Sequence, residues 1–583
     1  MRLVTFIFIS IFSVIALADA EQEMQSVIDD HWTWYLEQNP KQSTRRGDRS
    51  ANGRWEDQSL DALKARHAAR GDFLQRLEAI DTEQLDADAQ LNHRMLSRVL
   101  RNNMKKYELG LVYMTLQMRR GPQHSYQILA ATPFDSSEDY KMWLSRLAGL
   151  PTLLDQHTEL LNEGIRRQRV QPYDVIQRVP PQIQNLTSTP VEESPYYAPF
   201  LNLHESISNQ EAAALRKEAQ RVITKAVYPA YDQFAQYLRD TYLPASRKEP
   251  GVGTLPGGKA IYEFLAQDFT TTEKTPEEIH QIGLAEVKRI LKEMEAVKAE
   301  VGFKGDLHAF NEFLRTDPQF YYETPEALFE GYLAVSKRLD PTLVNLFGKL
   351  PRMPYGVRAI PDELAPDTTT AYYMRPAANG SRAGYYYVNL YRPEVRPKYE
   401  MEVLSVHEAV PGHHLQIALA QELEGLPEFR TTSAVTAFVE GWGLYSERLG
   451  YQMGLYTDPY SRYGQLTYDM WRAVRLVVDT GMHYFGWSRQ RAIDYFKANA
   501  GKTETDIINE IDRYIGWPGQ ALAYKIGQLK ILELRGNAEA ALGDRFDIRR
   551  FHDELLGAGA IPLDVLEQRM ERWTAKELEK GES

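Results

Sequence analysis

Three histidines and a glutamate stand close together in the sequence: His407, Glu408, His413 and His414. In zinc peptidases two histidine ligands lie one helical turn apart, and the glutamate after the first histidine acts on the water that attacks the substrate. The usual spacing is i, i+4, whereas here the next histidines follow at i+6 and i+7. The residue types therefore predict a hydrolytic zinc site, and the spacing requires an interrupted helix.

A continuous helix cannot bring these histidines to one metal ion. Residue i+6 is rotated about 120° away from His407, and i+7 lies roughly 10 Å along the axis, although zinc–nitrogen bonds are only about 2.0–2.1 Å long. Between them stand Pro411, which interrupts helical hydrogen bonds, and Gly412, which tolerates unusual dihedral angles. We therefore expect a bulge that swings His413 or His414 back toward the metal. The alternative is a helix end with surface histidines.

A third ligand has to come from another helix. Glu440 follows 27 residues after His413 in an apolar stretch, where an acid needs a partner because an unpaired buried carboxylate is costly. Glu447 lies seven residues further, near the same helical face, and could orient a ligating histidine. We predict that Glu440 is the third ligand; the alternative is an ordinary capped or surface acid.

The rest of the chain predicts the elements that position this site. Residues 24–170, 209–243 and 398–580 have the residue pattern of amphipathic helices. Strand signal is scarce: Tyr-rich segments at Thr370–Met374 and Gly384–Leu390 flank Ala378-Asn379-Gly380, which predicts a hairpin. The predicted fold is therefore mainly α, with one small sheet directly before the histidine cluster.

Composition narrows the possible functions. With 68 Lys and Arg against 80 Asp and Glu, the 583-residue chain has a net charge of −12, which disfavours nucleic acid as a partner. The chain has no cysteine, which excludes disulfides, thiol nucleophiles, iron–sulfur clusters and Cys-type zinc sites. Any metal must therefore be held by His, Asp or Glu.

The N-terminus predicts export. Arg2 precedes a nearly continuous apolar run that ends in Ala18-Asp19-Ala20, as in a secretory signal peptide. We predict a signal peptide at 1–20 with cleavage after Ala20, a helical region at 21–250 and a catalytic helical region at 251–583. The mature protein is expected in the periplasm or outside the cell, without a membrane partner; an uncleaved membrane anchor is the alternative.

Several segments together resemble the bacterial DUF885 family. They are HEAVPGHHLQ (407–416), FVEGWGLYSERLG (438–450), RAVRLVVDTGMHYFGWS (472–488), YIGWPGQALAYKIG (514–527), LPGGKAIYE (255–263) and TPEEIHQIGLAEVKRI (275–290). This family resembles, distantly, the all-α zinc peptidases of the gluzincin kind. The resemblance implies a large two-lobed helical fold with a deep cleft. It also implies one zinc ion bound by His407, His413 and Glu440, with Glu408 as general base; the Gly412-His413 pair favours His413 over its neighbour.

Hydrolysis also needs a group that stabilises the developing oxyanion. In the related peptidases a tyrosine downstream of the metal site serves this purpose, which points to Tyr524 or, with less support, Tyr514. His483 is a further candidate, although it could instead form a helical hydrogen bond with Asp479, four residues earlier.

Two arginines on the same predicted helix, Arg472 and Arg475, could bind the terminal carboxylate of a peptide. The alternative is an intrahelical ion pair between Arg475 and Asp479. These observations together predict an exported zinc peptidase that acts on short peptides. The alternatives are a zinc hydrolase of an unusual non-peptide amide and a non-catalytic protein that binds zinc or peptides. A binding protein needs no base beside its first ligand, which argues against the last of these.

Overall fold

The computed structural model describes residues 2–362, 365, 369–377, 380, 382–432 and 435–580, with side chains from residue 19 onward. The chain forms two compact units, Met1–Pro250 and Gly251–Ser583. Helices dominate both units and one three-stranded sheet is present, which confirms the predicted fold class. The lobes and cleft that the family resemblance implies stay a prediction.

The first unit is helical. Its α-helices are α1 (Arg2–Gln38), α2 (Pro40–Arg45), α3 (Leu60–Glu78), α4 (Ala87–Glu108), α5 (Ser137–Ala148), α6 (Leu150–Arg166), α7 (Tyr173–Ile176), α8 (Val179–Ser188), α9 (Ala198–Leu201), α10 (Asn209–Val222), α11 (Tyr228–Tyr237) and α12 (Leu243–Ala245). Most of the predicted signal peptide lies in the part of α1 whose side chains are outside the described residues, so its cleavage stays a prediction. Among the described residues, no helix combines the length and apolarity that a membrane span requires.

The second unit carries the sheet and the histidine motif. Its helices are α13 (Gly258–Thr270), α14 (Pro276–Glu300), α15 (Leu307–Thr316), α16 (Pro325–Leu339), α17 (Met401–Glu408), α18 (His413–Gln421), α19 (Glu428–Thr432), α20 (Thr436–Leu449), α21 (Pro459–His483), α22 (Arg489–Asn499), α23 (Glu504–Gly516), α24 (Ala523–Leu542), α25 (Ile548–Leu556) and α26 (Leu563–Glu579). Helix α21 is buried along most of its length and packs against α14.

Glycines allow α20 and α24 to approach each other closely. A Cβ on Gly441 would lie 2.6 Å from the Cα of Gly527, and a Cβ on Gly527 would lie 2.0 Å from the carbonyl oxygen of Ala437. Side chains at either glycine would force the helices apart. The two glycines therefore fix the distance between the helix that carries Glu440 and the helix that carries Tyr524.

The sheet has the strand order β1-β3-β2, with β1 at Tyr355–Ala359, β2 at Ala371–Met374 and β3 at Gly384–Val388. Strands β2 and β3 pair antiparallel, with Tyr372 opposite Tyr387, which confirms the predicted hairpin. Residues 378 and 379 of its predicted Asn-Gly turn lie outside the described residues. Strand β1 pairs parallel to β3 and was not predicted, since this short segment contains glycine and arginine and stands between prolines.

Candidate metal centre

The helix breaks completely between the two histidine positions. Helix α17 ends at Glu408 and α18 begins at His413, so the predicted bulge is a full interruption. The Gly412 amide donates to the Val406 carbonyl at 2.9 Å, and a Cβ on Gly412 would lie 1.9 Å from the carbonyl oxygen of His407. Only glycine fits at this close approach. The indole Nε1 of Trp442 donates to the Pro411 carbonyl at 2.8 Å and ties the turn to α20.

The break brings His407, His413 and Glu440 together. The His407 Nε2 atom lies 3.9 Å from Glu440 Oε2, and the His413 Nε2 atom lies 3.7 Å from the same oxygen. Ligands bound at about 2.0–2.1 Å to a tetrahedral ion are about 3.4 Å apart, so these separations suit a shared ion. Within the described residues, this is the one group of three His, Asp or Glu side chains close enough to hold a metal.

A buried carboxylate orients the first histidine. His407 Nδ1 donates to Glu447 Oε1 at 2.8 Å, which leaves Nε2 as the atom directed at Glu440. Burial lowers the pKa of His407 to about 3, and the neutral imidazole is the form that binds metals. A Cβ on Gly443 would lie 2.8 Å from the His407 ring, so glycine is needed there as well.

His414 lies next to His413 but has a different environment. Its Nδ1 pairs with the Tyr373 hydroxyl at 2.8 Å, and its Nε2 donates to the Met353 carbonyl at 3.1 Å. Burial lowers the pKa of His414 to about 4. Because both ring nitrogens are engaged, the structure favours His413 as the second ligand.

Two of the residues predicted to act on substrate, Glu408 and Tyr524, stand near helix ends. Glu408, the last residue of α17, is half-buried; its role as base stays a prediction. Tyr524, at the start of α24, is also half-buried. Burial raises the pKa of Tyr524, and the nearby carboxylate of Glu440 raises it further.

Tyr514 is less suited to that role. It is fully buried, and its hydroxyl donates to Glu510 Oε2 at 2.7 Å. The Tyr514 hydroxyl oxygen in turn accepts from Arg475 Nε at 2.8 Å and from Trp471 Nε1 at 3.2 Å. With these partners the hydroxyl has no capacity left for a substrate, so the structure favours Tyr524.

The surroundings of His483 disfavour it as an oxyanion donor. The side chain is fully buried; its Nδ1 accepts from the Val252 amide at 3.0 Å, and its Nε2 donates to the Tyr514 carbonyl at 3.1 Å. The alternative bond to Asp479 is not formed either, since the Asp479 carboxylate accepts from the Tyr262 hydroxyl at 2.6 Å. His483, the last residue of α21, is thus bonded to two other segments of the second unit.

The surroundings of the arginine pair favour neither interpretation. Both side chains are buried, at 7% exposure for Arg472 and 5% for Arg475, which leaves no open guanidinium for a substrate carboxylate. Arg472 Nη2 lies 3.8 Å from Glu447 Oε1, and Arg475 Nη2 donates to Glu510 Oε2 at 3.2 Å instead of pairing with Asp479. The two arginines instead lie beside Glu447 and Glu510.

The sequence did not single out three residues that lie around Tyr524: Glu510, Arg513 and Gln520. Glu510 and Arg513 bond to each other on α23, and Gln520 contacts both Arg513 and Tyr524. The i, i+3 spacing of Glu510 and Arg513 signals a helical ion pair, but an ion pair of this kind is ordinarily a surface feature. Only the fold shows that it lies beside the candidate site.

The fold and this group define a mainly helical protein with a candidate His₂Glu metal centre. The sequence matches, over residues 40–570, the family described as "Bacterial protein of unknown function (DUF885)". The chain therefore belongs to the DUF885 family.

Two solved structures are similar to this chain. One is described as a putative lipoprotein from Colwellia psychrerythraea; it is 29% identical, with a TM-score of 0.87, and the match covers 96% of this chain and 99% of that one. The other, described as a putative lipoprotein of unknown function from Shewanella oneidensis, is 16% identical, with a TM-score of 0.74 and coverage of 94% and 99%. The second similarity supports the fold alone. A comparison with curated proteins gives no match.

Proposed function

We propose that this protein is an exported zinc-dependent peptidase that hydrolyses short peptides. The observation that carries the proposal is the juxtaposition of His407, His413 and Glu440 with Glu408 directly after the first histidine. A site that only stores metal has no use for a half-buried carboxylate at that position. A catalytic site needs one, because the attacking water must lose a proton.

The donor set fits zinc. Two imidazole nitrogens and one carboxylate oxygen are the protein ligands of many catalytic zinc sites, which keep a position open for water or substrate. The second partner of His407 also fits, since ligating histidines commonly donate their other ring N–H to a carboxylate. When bound, zinc would supply Lewis acidity that polarises the scissile carbonyl and makes water more acidic.

The side chains of this protein then perform the proton transfers. Glu408 accepts a proton from the attacking water as the new carbon–oxygen bond forms. The Tyr524 hydroxyl donates a hydrogen bond to the carbonyl oxygen as negative charge develops there. Glu408 passes its proton to the amine nitrogen as the carbon–nitrogen bond breaks, which leaves a carboxylate and a free amine.

We also propose that the protein works outside the cytoplasm. The segment before Glu21 has the features of a signal peptide, and two similar solved structures are described as putative lipoproteins. This sequence contains no cysteine to carry a lipid. We therefore propose that it acts in the periplasm or outside the cell, on short peptides and not on nucleic acid.

The test is a mass-spectrometric digest of a diverse pool of short peptides by the wild type and by Glu408→Gln, with zinc content measured for both. We expect Glu408→Gln to retain zinc and to lose about 10²–10⁴-fold in kcat, as expected for removal of a general base. Glu424→Gln, which changes an exposed carboxylate, is the matched control and should cleave like the wild type.

Any other result of this digest would change the proposed function in a specific way. Equal cleavage by the wild type and Glu408→Gln would exclude Glu408 as the base. Zinc binding without any peptide cleavage would favour an unusual amide as substrate or a binding protein. Faster cleavage of a folded protein than of its short fragments would contradict the proposed substrate class.

A further inference from the structure

The ring of Tyr524 rests on a guanidinium group that is itself firmly held. The guanidinium carbon of Arg475 lies 4.3 Å from the centre of the Tyr524 ring, a distance at which cation and ring attract each other. Arg475 Nε donates to the Tyr514 hydroxyl at 2.8 Å, and its Nη2 donates to Glu510 at 3.2 Å. These bonds fix the plane on which the tyrosine ring lies.

The hydroxyl of Tyr524 has its own contact on the other side. Gln520 Nε2 donates to this hydroxyl at 3.5 Å, at the long end of the hydrogen-bond range. Gln520 Oε1 accepts from Arg513 Nη1 at 2.7 Å, which determines which end of the amide faces the tyrosine. Because the phenol oxygen accepts here, its own proton remains available for another acceptor.

Both contacts lead back to one carboxylate. Glu510 accepts from Arg475, from Arg513 Nη2 at 2.9 Å and from the Tyr514 hydroxyl at 2.7 Å. Burial alone would raise the pKa of Glu510, but the guanidinium groups of Arg513 and Arg475 hold it well below its usual range. These guanidinium groups therefore favour the ionised form of Glu510. The contacts close a ring that runs from Glu510 through Arg475, Tyr524, Gln520 and Arg513.

We propose that Arg475 and Gln520 are positioning residues that hold Tyr524 with its hydroxyl proton directed at the substrate oxygen. This inference rests on the proposed function, because only that function gives Tyr524 a role as oxyanion donor. It also explains why Arg475 is buried: its guanidinium serves the tyrosine ring and does not contact the substrate. Ordinary packing would also place these side chains together, so the test must measure whether they act through the hydroxyl.

A double-mutant cycle on kcat makes that distinction. Removal of an oxyanion donor costs about 10²–10³-fold in kcat, which is the loss we expect for Tyr524→Phe. For Gln520→Met we expect about a tenfold loss of kcat with KM unchanged within about twofold, and no further loss when it is added to Tyr524→Phe, because residues that act as a unit are not additive. Gln465→Met, which changes another buried glutamine, should leave kcat unchanged. Losses that multiply would overturn the proposal.

A second measurement needs no activity. With 3-fluorotyrosine placed at position 524, the ¹⁹F resonance of the zinc-free full-length protein should shift or broaden in Gln520→Met and in Arg475→Lys, but not in Gln465→Met. An unchanged resonance in Gln520→Met and Arg475→Lys would overturn the positioning role even if peptides are cleaved. A changed resonance in a protein that cleaves no peptide would instead retain the network and refute the proposed function.

Discussion

Two carboxylates near the candidate site, the fully buried Glu447 and the half-buried Glu510, have opposite surroundings. Glu447 accepts from His407, while its second oxygen is buried without a hydrogen bond; burial raises the pKa of Glu447 to about 8, although Arg472 acts against this. Glu510 is bonded by two guanidinium groups and a phenol, which keep its pKa low. The donors around each carboxylate, and not its burial, therefore decide whether its pKa rises or falls.

The difference in their surroundings indicates that Glu510 and Glu447 have different structural roles. Glu510 is an ionic anchor, since removing it would leave Arg475 and Arg513 as buried cations. Glu447 has one strong contact, to the Nδ1 atom of His407, and that contact sets the orientation of a ligand. We therefore expect Glu510 variants to lose stability and Glu447 variants to lose metal affinity.

The largest effect should follow Glu510→Gln. Removal of one partner from a buried ion pair typically costs about 3–5 kcal/mol, so we expect the free energy of unfolding of the zinc-free protein to fall by about that amount. Urea denaturation measures this loss. Glu504→Gln is the control: Glu504 lies on the same helix as Glu510 and forms an exposed ion pair with Lys497 of the preceding helix, so this change should cost less than about 1 kcal/mol. Equal losses for the two variants would show that Glu510 is not an anchor.

A smaller effect of a different kind should follow Glu447→Gln. The amide oxygen can still accept from His407, but it is a weaker acceptor than a carboxylate, and loss of such outer partners costs about 10–100-fold in metal affinity. Competition with a zinc chelator measures the affinity, and urea denaturation should show a stability change within about 1 kcal/mol. If Glu447→Gln lost stability and kept its zinc affinity, the division of tasks would be wrong.

Sequence could predict the candidate ligand group because metal sites require particular residue types. His407, Glu408 and Glu440 stand out by type and apolar context alone, and the tyrosine-rich hairpin stands out by composition. Pro411 and Gly412 also signalled that the helix could not continue. These two residues could not show which histidine would face Glu440, since His413 and His414 are chemically identical neighbours.

The contacts of the supporting residues could not be predicted from the spacing of nearby residues, for a different reason. Arg475 was expected to bind either substrate or Asp479, four residues away, yet its partner Glu510 lies 35 residues further along the chain. His483 likewise bonds to Val252, 231 residues earlier. Short-range spacing predicts only contacts within one helix, whereas these side chains are held by contacts between distant segments.

The smallest effect should follow Arg472→Met. Arg472 lies beside Glu447, which in turn bonds to His407, so this variant tests whether the arginine contributes to the metal site through Glu447. Arg472 Nη2 lies 3.8 Å from Glu447, beyond hydrogen-bond distance, and its Nη1 donates to the Tyr468 carbonyl at 3.4 Å. We expect the free energy of unfolding to fall by about 1 kcal/mol, the usual net value of one hydrogen bond. Zinc affinity should fall less than in Glu447→Gln, because the arginine reaches the ligand only through the carboxylate. A larger loss of zinc in Arg472→Met than in Glu447→Gln would mean that the positive charge of the arginine, and not the hydrogen bond from His407, maintains the site.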